Sequence, residues 1–526
     1  MASVSAPSGE TLSYTYDGSL PLSESWIGVV NGTVSLAYNN DFNLASTSIN
    51  GANTISRTYD ADGLPVSVGN LAITRSPQNG FITQSTLGNA VTTYGYSLFG
   101  ELASERTTAN GTILSDTQYT HDKLGRITKK VETVGGAVKT FDYLYDLGGR
   151  LTQVLENGVV SASYTYDANG NRTAKTTATV TASGTYDNQD RMVSYGNAAF
   201  TYSANGELLT KMDGTGATSY QYDVLGNLLS VLSPNGTLIE YVVDGANRRV
   251  GKKVNGVLVQ GWLYSSQLAP IAELDGAGNV VSVFVYGAKA NIPDYVIKNG
   301  VSYRIISDHL GSPRLVVDST SGTIIQKMDF DEFGIVVLDS NPGFIPFGFA
   351  GGLYDRDTGL VRFGARDYEA QSGRWTSKDP IRFQGGDTNL YGYVLGDTVN
   401  FVDGDGFEVK YAVGVTPPTD KRLLDILDKL DEMDPEHDVC VTSGLRSQEK
   451  QERIRTGSGS GAKVGQHVLG KAVDVKMPGK TPAEVADIAK RLGATGTVTY
   501  NNNRITHINV RDGTPYHARS ISGVGR

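Results

Sequence analysis

One pattern of apolar and polar positions recurs along the first 300 residues of the chain. Short segments of alternating character end in a Tyr-x-Tyr-Asp step, and a turn with Gly and often Arg or Asn follows, as at residues 143–151 and 164–172. The step returns about every twenty residues. Alternation of apolar and polar residues is typical of β-strands. The sequence Asp-x-x-Gly is typical of a turn whose Gly takes a positive φ. The pattern therefore predicts successive β-hairpins, each with two tyrosine rings on one strand face.

A single hairpin is only marginally stable in water, so the predicted hairpins must pack side by side in one long, curling sheet. An unrelated β-meander is the alternative, but Tyr, Asp and Gly recur together at fixed offsets, which favours a true repeat. Composition agrees, because 63 of the 526 residues are Gly and 28 are Tyr. A helical bundle would instead be rich in Ala, Leu, Glu and Lys. The predicted fold class is mainly β.

Helical periodicity first appears after residue 408. Thr419 can cap a first helix, and a second is expected after Pro482, ending at Gly493. The first helix carries a stripe of apolar residues, namely Leu423, Leu424, Leu427, Leu430 and Met433. Residues 495–510 alternate about an Asn-Asn-Asn turn, which indicates a hairpin. The tail at 408–526 is therefore predicted to be a small α+β domain.

Charge and cysteine content exclude several classes of protein. The net charge of −9 argues against nucleic-acid binding by the whole chain, and the tail has only 18 Lys and Arg against 15 Asp and Glu. The single cysteine, Cys440, rules out a disulfide framework and a Cys-rich zinc site. No apolar run is long enough for a transmembrane helix, and no signal peptide is visible. If the protein is exported, we expect dedicated machinery or a longer parent chain.

The hairpin repeat resembles the YD repeats of Rhs proteins and of the C subunits of Tc toxins. That resemblance implies a hairpin strip that spirals into a hollow shell around the C-terminal segment. The stretches DHLGSPRLVVD and FGFAGGLYDRDTGLVRFGARDYEAQSGRWTSKDP resemble the Rhs-associated core that ends such shells. We accordingly predict a YD-repeat shell at 1–300, a core with a self-cleavage site at 301–407 and a toxin domain at 408–526.

The resemblance implies that Arg366, Asp367 and Asp379 cut the chain just after Phe407. Two nearby carboxylates suit peptide cleavage, because repulsion keeps one protonated as an acid while the other activates water. Arg366 could hold the partner ionised. The alternative is that these are ordinary turn charges. One departure from the family pattern lies at Gly404, where the usual Asp-Pro-x-Gly-Leu ending has Pro.

Two histidines and an aspartate of the tail form a spaced set, His467, Asp474 and His507. Two imidazoles and a carboxylate with an open position suit a catalytic Zn²⁺. The motifs SGLRS, HVLGKAVD and ITHINV resemble the zinc DD-/LD-peptidases that cut peptidoglycan stem peptides. The resemblance implies that these three residues are the zinc ligands and that Arg446 stabilises the oxyanion.

The general base of this peptidase is not evident from the sequence. Ile505 and Arg504 occupy the positions where relatives often carry a base, which leaves Asp512 and His517 as candidates.

The sequence thus predicts an interbacterial toxin: a shell that releases a zinc peptidase by self-cleavage. The expected substrate is the peptidoglycan stem peptide, in the periplasm or cell wall of a target cell. A cognate immunity protein and secretion or delivery machinery are the expected partners, and nucleic acid is not. The alternative is a structural or adhesive YD-repeat surface protein whose tail binds zinc and the cell wall without cutting it. A nuclease tail is disfavoured by the weak positive charge.

Overall fold

The protein is described as a computed structural model over residues 3–385 and 387–407. In the tail the described residues are 440–443, 472–476, 481–492, 494, 496–500, 505–509 and 516–518. Within these ranges most residues lie in strands, which confirms the mainly β fold class. No helix in the described ranges is long and apolar enough to span a membrane.

Thirty-three strands of the described residues join into one long sheet in which chain neighbours pair antiparallel. The first part consists of β1 Ser3–Ser5, β2 Thr11–Asp17, β3 Leu20–Ile27, β4 Gly32–Tyr38, β5 Leu44–Ile49, β6 Ala52–Tyr59, β7 Pro65–Val68, β8 Leu71–Arg75, β9 Ile82–Leu87, β10 Ala90–Tyr96, β11 Leu102–Ala109, β12 Thr112–His121, β13 Ile127–Val134, β14 Ala137–Tyr145, β15 Leu151–Glu156 and β16 Val159–Tyr166. The second part consists of β17 Arg172–Thr177, β18 Thr181–Tyr186, β19 Met192–Tyr195, β20 Ala198–Tyr202, β21 Leu208–Asp213, β22 Gly216–Tyr222, β23 Leu228–Leu232, β24 Leu238–Val243, β25 Arg249–Val254, β26 Val257–Tyr264, β27 Pro270–Asp275, β28 Val280–Val285, β29 Tyr295–Lys298, β30 Val301–Ser307, β31 Pro313–Asp318, β32 Ile324–Phe330 and β33 Val336–Asp339.

The two tyrosines of the repeated step make different contacts. The first Tyr of the step is buried, as for Tyr143 and Tyr164. In several repeats the second Tyr donates its hydroxyl to a backbone carbonyl of the preceding hairpin, for example Tyr166 Oη to Leu151 O at 2.8 Å. Within the described residues, the same kind of bond is made by Tyr38, Tyr59, Tyr96, Tyr145, Tyr166, Tyr186, Tyr264 and Tyr286. Phe would lack this bond, because it is the hydroxyl that joins consecutive hairpins.

The aspartate of the repeat organises the turn directly after it. Asp167 Oδ1 accepts hydrogen bonds from the backbone N–H groups of Asn169 and Asn171, both at 2.9 Å. Its Oδ2 accepts a third from the Asn171 amide, and in the neighbouring repeat Arg150 Nε binds Asp146 in the same way at 2.7 Å. The recurring Asp, and the Arg or Asn four residues later, therefore form one self-contained turn.

The sheet curls, as the sequence predicted, and its beginning meets its later strands. Trp26 Nε1 donates to Asp244 Oδ2 at 3.0 Å, and the Asn70 backbone N–H donates to Tyr295 Oη at 3.0 Å. Each contact joins residues more than 200 positions apart. The largest buried apolar cluster combines side chains of β2–β9 with side chains of β24–β29, so this seam also supplies much of the core.

The segment after β33 folds against the hairpins and ends at Phe407. Its four-stranded sheet consists of β34 Leu353–Asp355, β35 Leu360–Phe363, β36 Arg366–Glu369 and β37 Arg374–Trp375, with short 3-10 helices at Phe349–Gly351, Arg382–Gly385 and Val394–Gly396. A buried aromatic cluster fills it: Phe349, Phe363, Tyr368, Trp375 and Tyr393. Arg374 Nη1 donates to Asn171 Oδ1 at 2.6 Å and Arg362 Nη2 to Asn227 Oδ1 at 2.9 Å. Repeats that carry Asn after the turn Gly therefore anchor this segment between β33 and Phe407.

The described part of the tail is a small sheet with one helix. Its strands are β38 Cys440–Ser443, β39 Ala472–Lys476, β40 Gly496–Tyr500, β41 Ile505–Asn509 and β42 Tyr516–Ala518, in the order β38-β39-β41-β40-β42. Helix α1, Pro482–Arg491, begins with a capping box between Thr481 and Glu484. The predicted second helix and the β40–β41 hairpin are thereby confirmed. The predicted first helix, starting near Thr419, lies outside the described residues.

Candidate functional site

Arg366 brings together two carboxylates of the segment between β33 and Phe407. Its Nη2 lies 3.0 Å from Asp379 Oδ2 and 3.0 Å from Asp403 Oδ2, so the two carboxylate oxygens are at most about 6 Å apart. All three side chains are buried, with exposed fractions of 2%, 6% and 4%. The guanidinium also stacks over the Trp375 ring, 4.1 Å from its centroid. β36 is buried along its whole length, so the strand holds Arg366 in a fixed place between the two carboxylates.

Burial changes the protonation of one member of the pair. Loss of solvation raises the pKa of Asp379 to about 6, although Arg366 acts in the opposite direction. The neighbouring Asp403 and Asp387 also raise the pKa of Asp379 by charge repulsion. A carboxyl group with a pKa near 6 can carry a proton at mildly acidic and near-neutral pH, which is the property that a general acid needs.

The carboxylate of Asp403 is tied to the segment that ends at Phe407. Its Oδ1 accepts a hydrogen bond from the Gly406 backbone N–H at 2.7 Å, while Oδ2 contacts Arg366. Asp405 O accepts from the Ala365 N–H at 2.8 Å. Gly406 has φ +77°, and a Cβ there would lie 2.8 Å from the Phe363 carbonyl oxygen, so glycine is needed. The chain is thus fixed beside the two carboxylates immediately before Phe407.

Asp367 lies on the opposite face of β36, because successive strand residues alternate in direction. Its carboxylate is held between two buried guanidinium groups, 2.9 Å from Arg249 Nη2 and 2.9 Å from Arg362 Nη1. The sequence suggested that Asp367 and Asp379 form the pair. The structure instead joins Asp379 to Asp403 through Arg366, and joins Asp367 to the hairpins through Arg249.

Sequence reasoning did not select Asp403 as a site residue, although a signal was present. Asp403 occupies the position of the Asp in the family's Asp-Pro-x-Gly-Leu ending. The position in that ending that pointed to the site was therefore Asp403. The departure from the family pattern at Gly404 did not point to it. Asp403 lies 37 residues after Arg366, and only the fold brings the two together.

In the tail, the strand register aligns two of the three predicted zinc ligands. Asp474 on β39 lies directly opposite His507 on β41. Residues opposite each other on antiparallel strands share one face of the sheet. A carboxylate oxygen and an imidazole nitrogen are both ligand types that zinc accepts, so this donor set fits the metal. The third predicted ligand, His467, lies outside the described residues, and the described ranges contain no cluster of three possible ligands.

The register also places one candidate base. His517 on β42 pairs with Thr497, and Thr497 pairs with Ile508. Thr497 and Ile508 are buried, and they alternate with the positions of Asp474 and His507. By strand register, His517 therefore shares a face of the sheet with Thr497 and Ile508, and not with Asp474 and His507. Arg446 and Asp512, the remaining predicted residues, lie outside the described ranges.

Comparison with known proteins agrees with this architecture. The Teneurin YD-shell family model matches residues 2–393. The chain belongs to the Teneurin YD-shell family. Residues 407–509 match the Peptidase M15 family, whose members are typically zinc-dependent. The predicted resemblance to YD-repeat shells, with a C-terminal match to zinc peptidases, is therefore confirmed.

Among relatives of this YD-shell protein, mouse teneurin-4 (Mus musculus) is 27% identical over 366 residues, which is 67% of this chain and 13% of that protein. Zebrafish teneurin-3 (Danio rerio) is 28% identical over 270 residues, 49% of this chain and 10% of that protein. The tRNA3(Ser)-specific nuclease WapA of Bacillus spizizenii is 26% identical over 318 residues, 59% of this chain and 12% of that protein. The chain spans about a tenth of the length of these curated relatives.

Solved toxin structures share the fold of this YD-shell protein. The TcdB2-TccC3 crystal structure superposes with a TM-score of 0.63 at 18% identity, covering 77% of this chain and 24% of that one. The Photorhabdus luminescens Tc holotoxin pore gives a TM-score of 0.63 at 17% identity, with 77% and 23% coverage. At these identities the likeness supports the shell fold alone.

Proposed function

We propose that the protein is a delivered toxin whose YD-repeat shell releases a zinc-dependent peptidase by cutting its own chain after Phe407. The observation that carries this proposal is the buried pair Asp379 and Asp403 on Arg366, directly before the segment that matches Peptidase M15. The M15 match begins at residue 407, so a cut at this point would separate the two parts. The division of the chain at residues 300 and 407 stays a prediction.

In the self-cleavage step, water is added across the peptide bond between Phe407 and Glu408. Asp403 accepts a proton from the water, whose oxygen adds to the carbonyl carbon of Phe407. Asp379, in the molecules that carry its proton because burial raises its pKa to about 6, donates that proton to the nitrogen of Glu408 as the C–N bond breaks. The Arg366 guanidinium lies between the two carboxyl groups and contacts both. The products are a carboxyl terminus at Phe407 and an amino terminus at Glu408.

Asp367 has a positioning role in this proposal. It ties β36 to the hairpins through Arg249 and to the neighbouring strand through Arg362. Arg366 lies on the same strand, so the position of the carboxylate pair depends on this anchor. The three residues implied by the sequence, Arg366, Asp367 and Asp379, thus all contribute, and Asp403 completes the set.

The tail is proposed to cut the stem peptides of peptidoglycan. His467, Asp474 and His507 would hold Zn²⁺, which when bound activates water and polarises a scissile carbonyl. We assign Arg446 to the negative charge that develops on the substrate's carbonyl oxygen. Asp512 or His517 would hold the proton that passes to the leaving amine.

This activity implies a setting outside the producing cell. We propose export by secretion or delivery machinery, action in the periplasm or cell wall of a target cell, and a cognate immunity protein in the producer. Two likenesses support this setting: the fold is shared with Tc toxin shells, and the relative WapA is a nuclease.

The peptidase is tested by incubating the full chain, after self-cleavage, with purified peptidoglycan. We expect release of free amino groups that a zinc chelator abolishes and added zinc restores. Asp474→Ala and His507→Ala should lose the activity, whereas Asp487→Ala should keep it, because Asp487 is an exposed helix residue paired with Lys490. Binding to peptidoglycan without release of amino groups would instead support a structural or adhesive wall-binding protein.

A further inference from the structure

Lys175 and Asp331 form a short ion pair between two distant parts of the long sheet. Lys175 lies on β17, and Asp331 begins the turn between β32 and β33. Lys175 Nζ lies 2.5 Å from Asp331 Oδ2, and the two side chains are only 15% and 16% exposed. A C–O bond is about 1.2 Å long, so this nitrogen lies within about 4 Å of Asp331 Cγ, near the separation at which bound groups react. The ion pair therefore places an amine beside a carboxyl carbon.

The second carboxylate oxygen of Asp331 is held by the backbone of its turn. Oδ1 accepts hydrogen bonds from the N–H groups of Phe333 at 3.0 Å and Ile335 at 2.8 Å. Two fixed N–H donors stabilise the negative charge that develops on this oxygen when a nucleophile adds to the carbon. In the repeat turns of Asp146 and Asp167 the other oxygen is bound by an Arg or an Asn, neither of which supplies a free amine. At Asp331 its partner is a lysine.

Glu332 supplies a second carboxyl group beside this pair. Burial raises the pKa of Glu332, and the negative charge of Asp331 raises it further, although Lys175 acts in the opposite direction. The raised pKa favours the protonated form, and Tyr164 Oη holds the group by donating to Oε2 at 3.1 Å. Lys175, Asp331 and Glu332 line the same cavity of about 230 Å³. A proton donor and room for a released water molecule are therefore present beside the ion pair.

We propose that Lys175 and Asp331 form an intramolecular isopeptide bond, with Glu332 as the group that transfers the protons. The Lys175 ammonium first passes a proton to the Asp331 carboxylate, which leaves a neutral amine and a neutral carboxyl group. Nζ then adds to Cγ, while Glu332 donates its proton to the departing Oδ2 hydroxyl and recovers one from Nζ. The Nζ–Cγ bond forms, the Cγ–Oδ2 bond breaks and one water molecule leaves, so no oxidant or external reagent is needed.

Another buried lysine–carboxylate pair shows the contrast. Lys211 Nζ lies 2.6 Å from Glu369 Oε1. Burial acts to raise the pKa of Glu369, but Lys211 and Ser372 together hold this pKa below its usual range. The carboxylate of Glu369 therefore stays ionised, and an ionised carboxylate resists addition of an amine. We expect this pair to remain an ion pair.

The isopeptide bond would brace the sheet across a long stretch of chain. Lys175 and Asp331 are 156 positions apart. A covalent link between distant residues restricts the unfolded chain and so stabilises the folded one. The proposed bond thus fastens β17 to the turn between β32 and β33.

Mass spectrometry under denaturing conditions tests the isopeptide bond. The species that contains residues 1–407 should be lighter than its sequence by the mass of one water molecule. Lys175→Arg, which keeps the positive charge, and Glu332→Gln should each have the full mass of their sequence. Lys211→Arg is the matched control and should keep the loss of water. Proteolysis of the parent chain should yield one branched peptide that joins Lys175 to Asp331.

A parent chain with the full mass of its sequence would overturn the proposal. Loss of water that persists in Lys175→Arg, or that peptide analysis places at other residues, would overturn it as well. Neither result depends on self-cleavage, because Lys175 and Asp331 both precede the proposed cut after Phe407. The isopeptide bond and the self-cleavage can therefore fail separately.

Discussion

Self-cleavage should depend on pH through Asp379. Burial raises the pKa of this carboxyl group to about 6, and the proposed step uses its protonated form as the acid. The protonated fraction is nearly complete below about pH 5 and falls tenfold for each pH unit above the pKa. At pH 8, two units above a pKa of about 6, only about 1% of molecules carry the proton. The rate at pH 8 should therefore be about 100-fold below the rate at pH 5.

The assay uses chain synthesised in a cell-free reaction at pH 8, where cleavage is slow, and then shifted to buffers between pH 5 and pH 8. Appearance of fragment 408–526 is followed on gels over time. Asp397→Asn is a matched control, because Asp397 is another buried carboxyl with a pKa raised by burial, to about 7, and contacts Asn400 rather than Arg366. It should leave the midpoint of the profile in place. A rate that stays flat or rises between pH 5 and pH 8 would refute the acid role of Asp379.

Two further predictions concern the framework that holds the site. Tyr166→Phe removes the hydroxyl bond to the preceding hairpin, so the free energy of unfolding in a urea titration should fall by about 1 kcal/mol, while Tyr16→Phe, at an exposed tyrosine, should change it little. Equal losses in both variants would contradict the linking role of the buried hydroxyl. Asp367→Asn leaves two buried guanidinium groups without their anion, so thermal and urea unfolding should show a loss of about 3 kcal/mol together with slower self-cleavage. Asp142→Asn, which removes a half-exposed ion pair, should cost less than about 1 kcal/mol, and a similar small loss in Asp367→Asn would contradict the anchoring role.

Much of the fold was predictable because its repeat is local. The Tyr-x-Tyr-Asp step and its Gly lie within a few residues of one another, and Asp167 satisfies the backbone of its own turn. The helix after Thr481 was equally predictable, because the capping box is a local contact between Thr481 and Glu484. Patterns of this kind depend on short-range geometry, which a sequence displays directly.

The carboxylate pair could not be predicted in the same way. Asp367 is the next residue after Arg366 in the chain, yet strand alternation turns it to the other side, towards Arg249. Asp403 joins the site only through the path that the core takes between β37 and Phe407. The alignment of Asp474 with His507 likewise depends on strand register, which the spacing of the two residues along the chain does not determine.

Intact-mass spectrometry of the purified full chain tests self-cleavage by the Asp379 and Asp403 pair most directly. We expect two species, residues 1–407 and 408–526, for the parent chain and for the control Asp397→Asn. A single species of 56.1 kDa is expected for Asp379→Asn and for Asp403→Asn. Two species with the same cut after Phe407 in both of these variants would show that the carboxylate pair does not cut the chain.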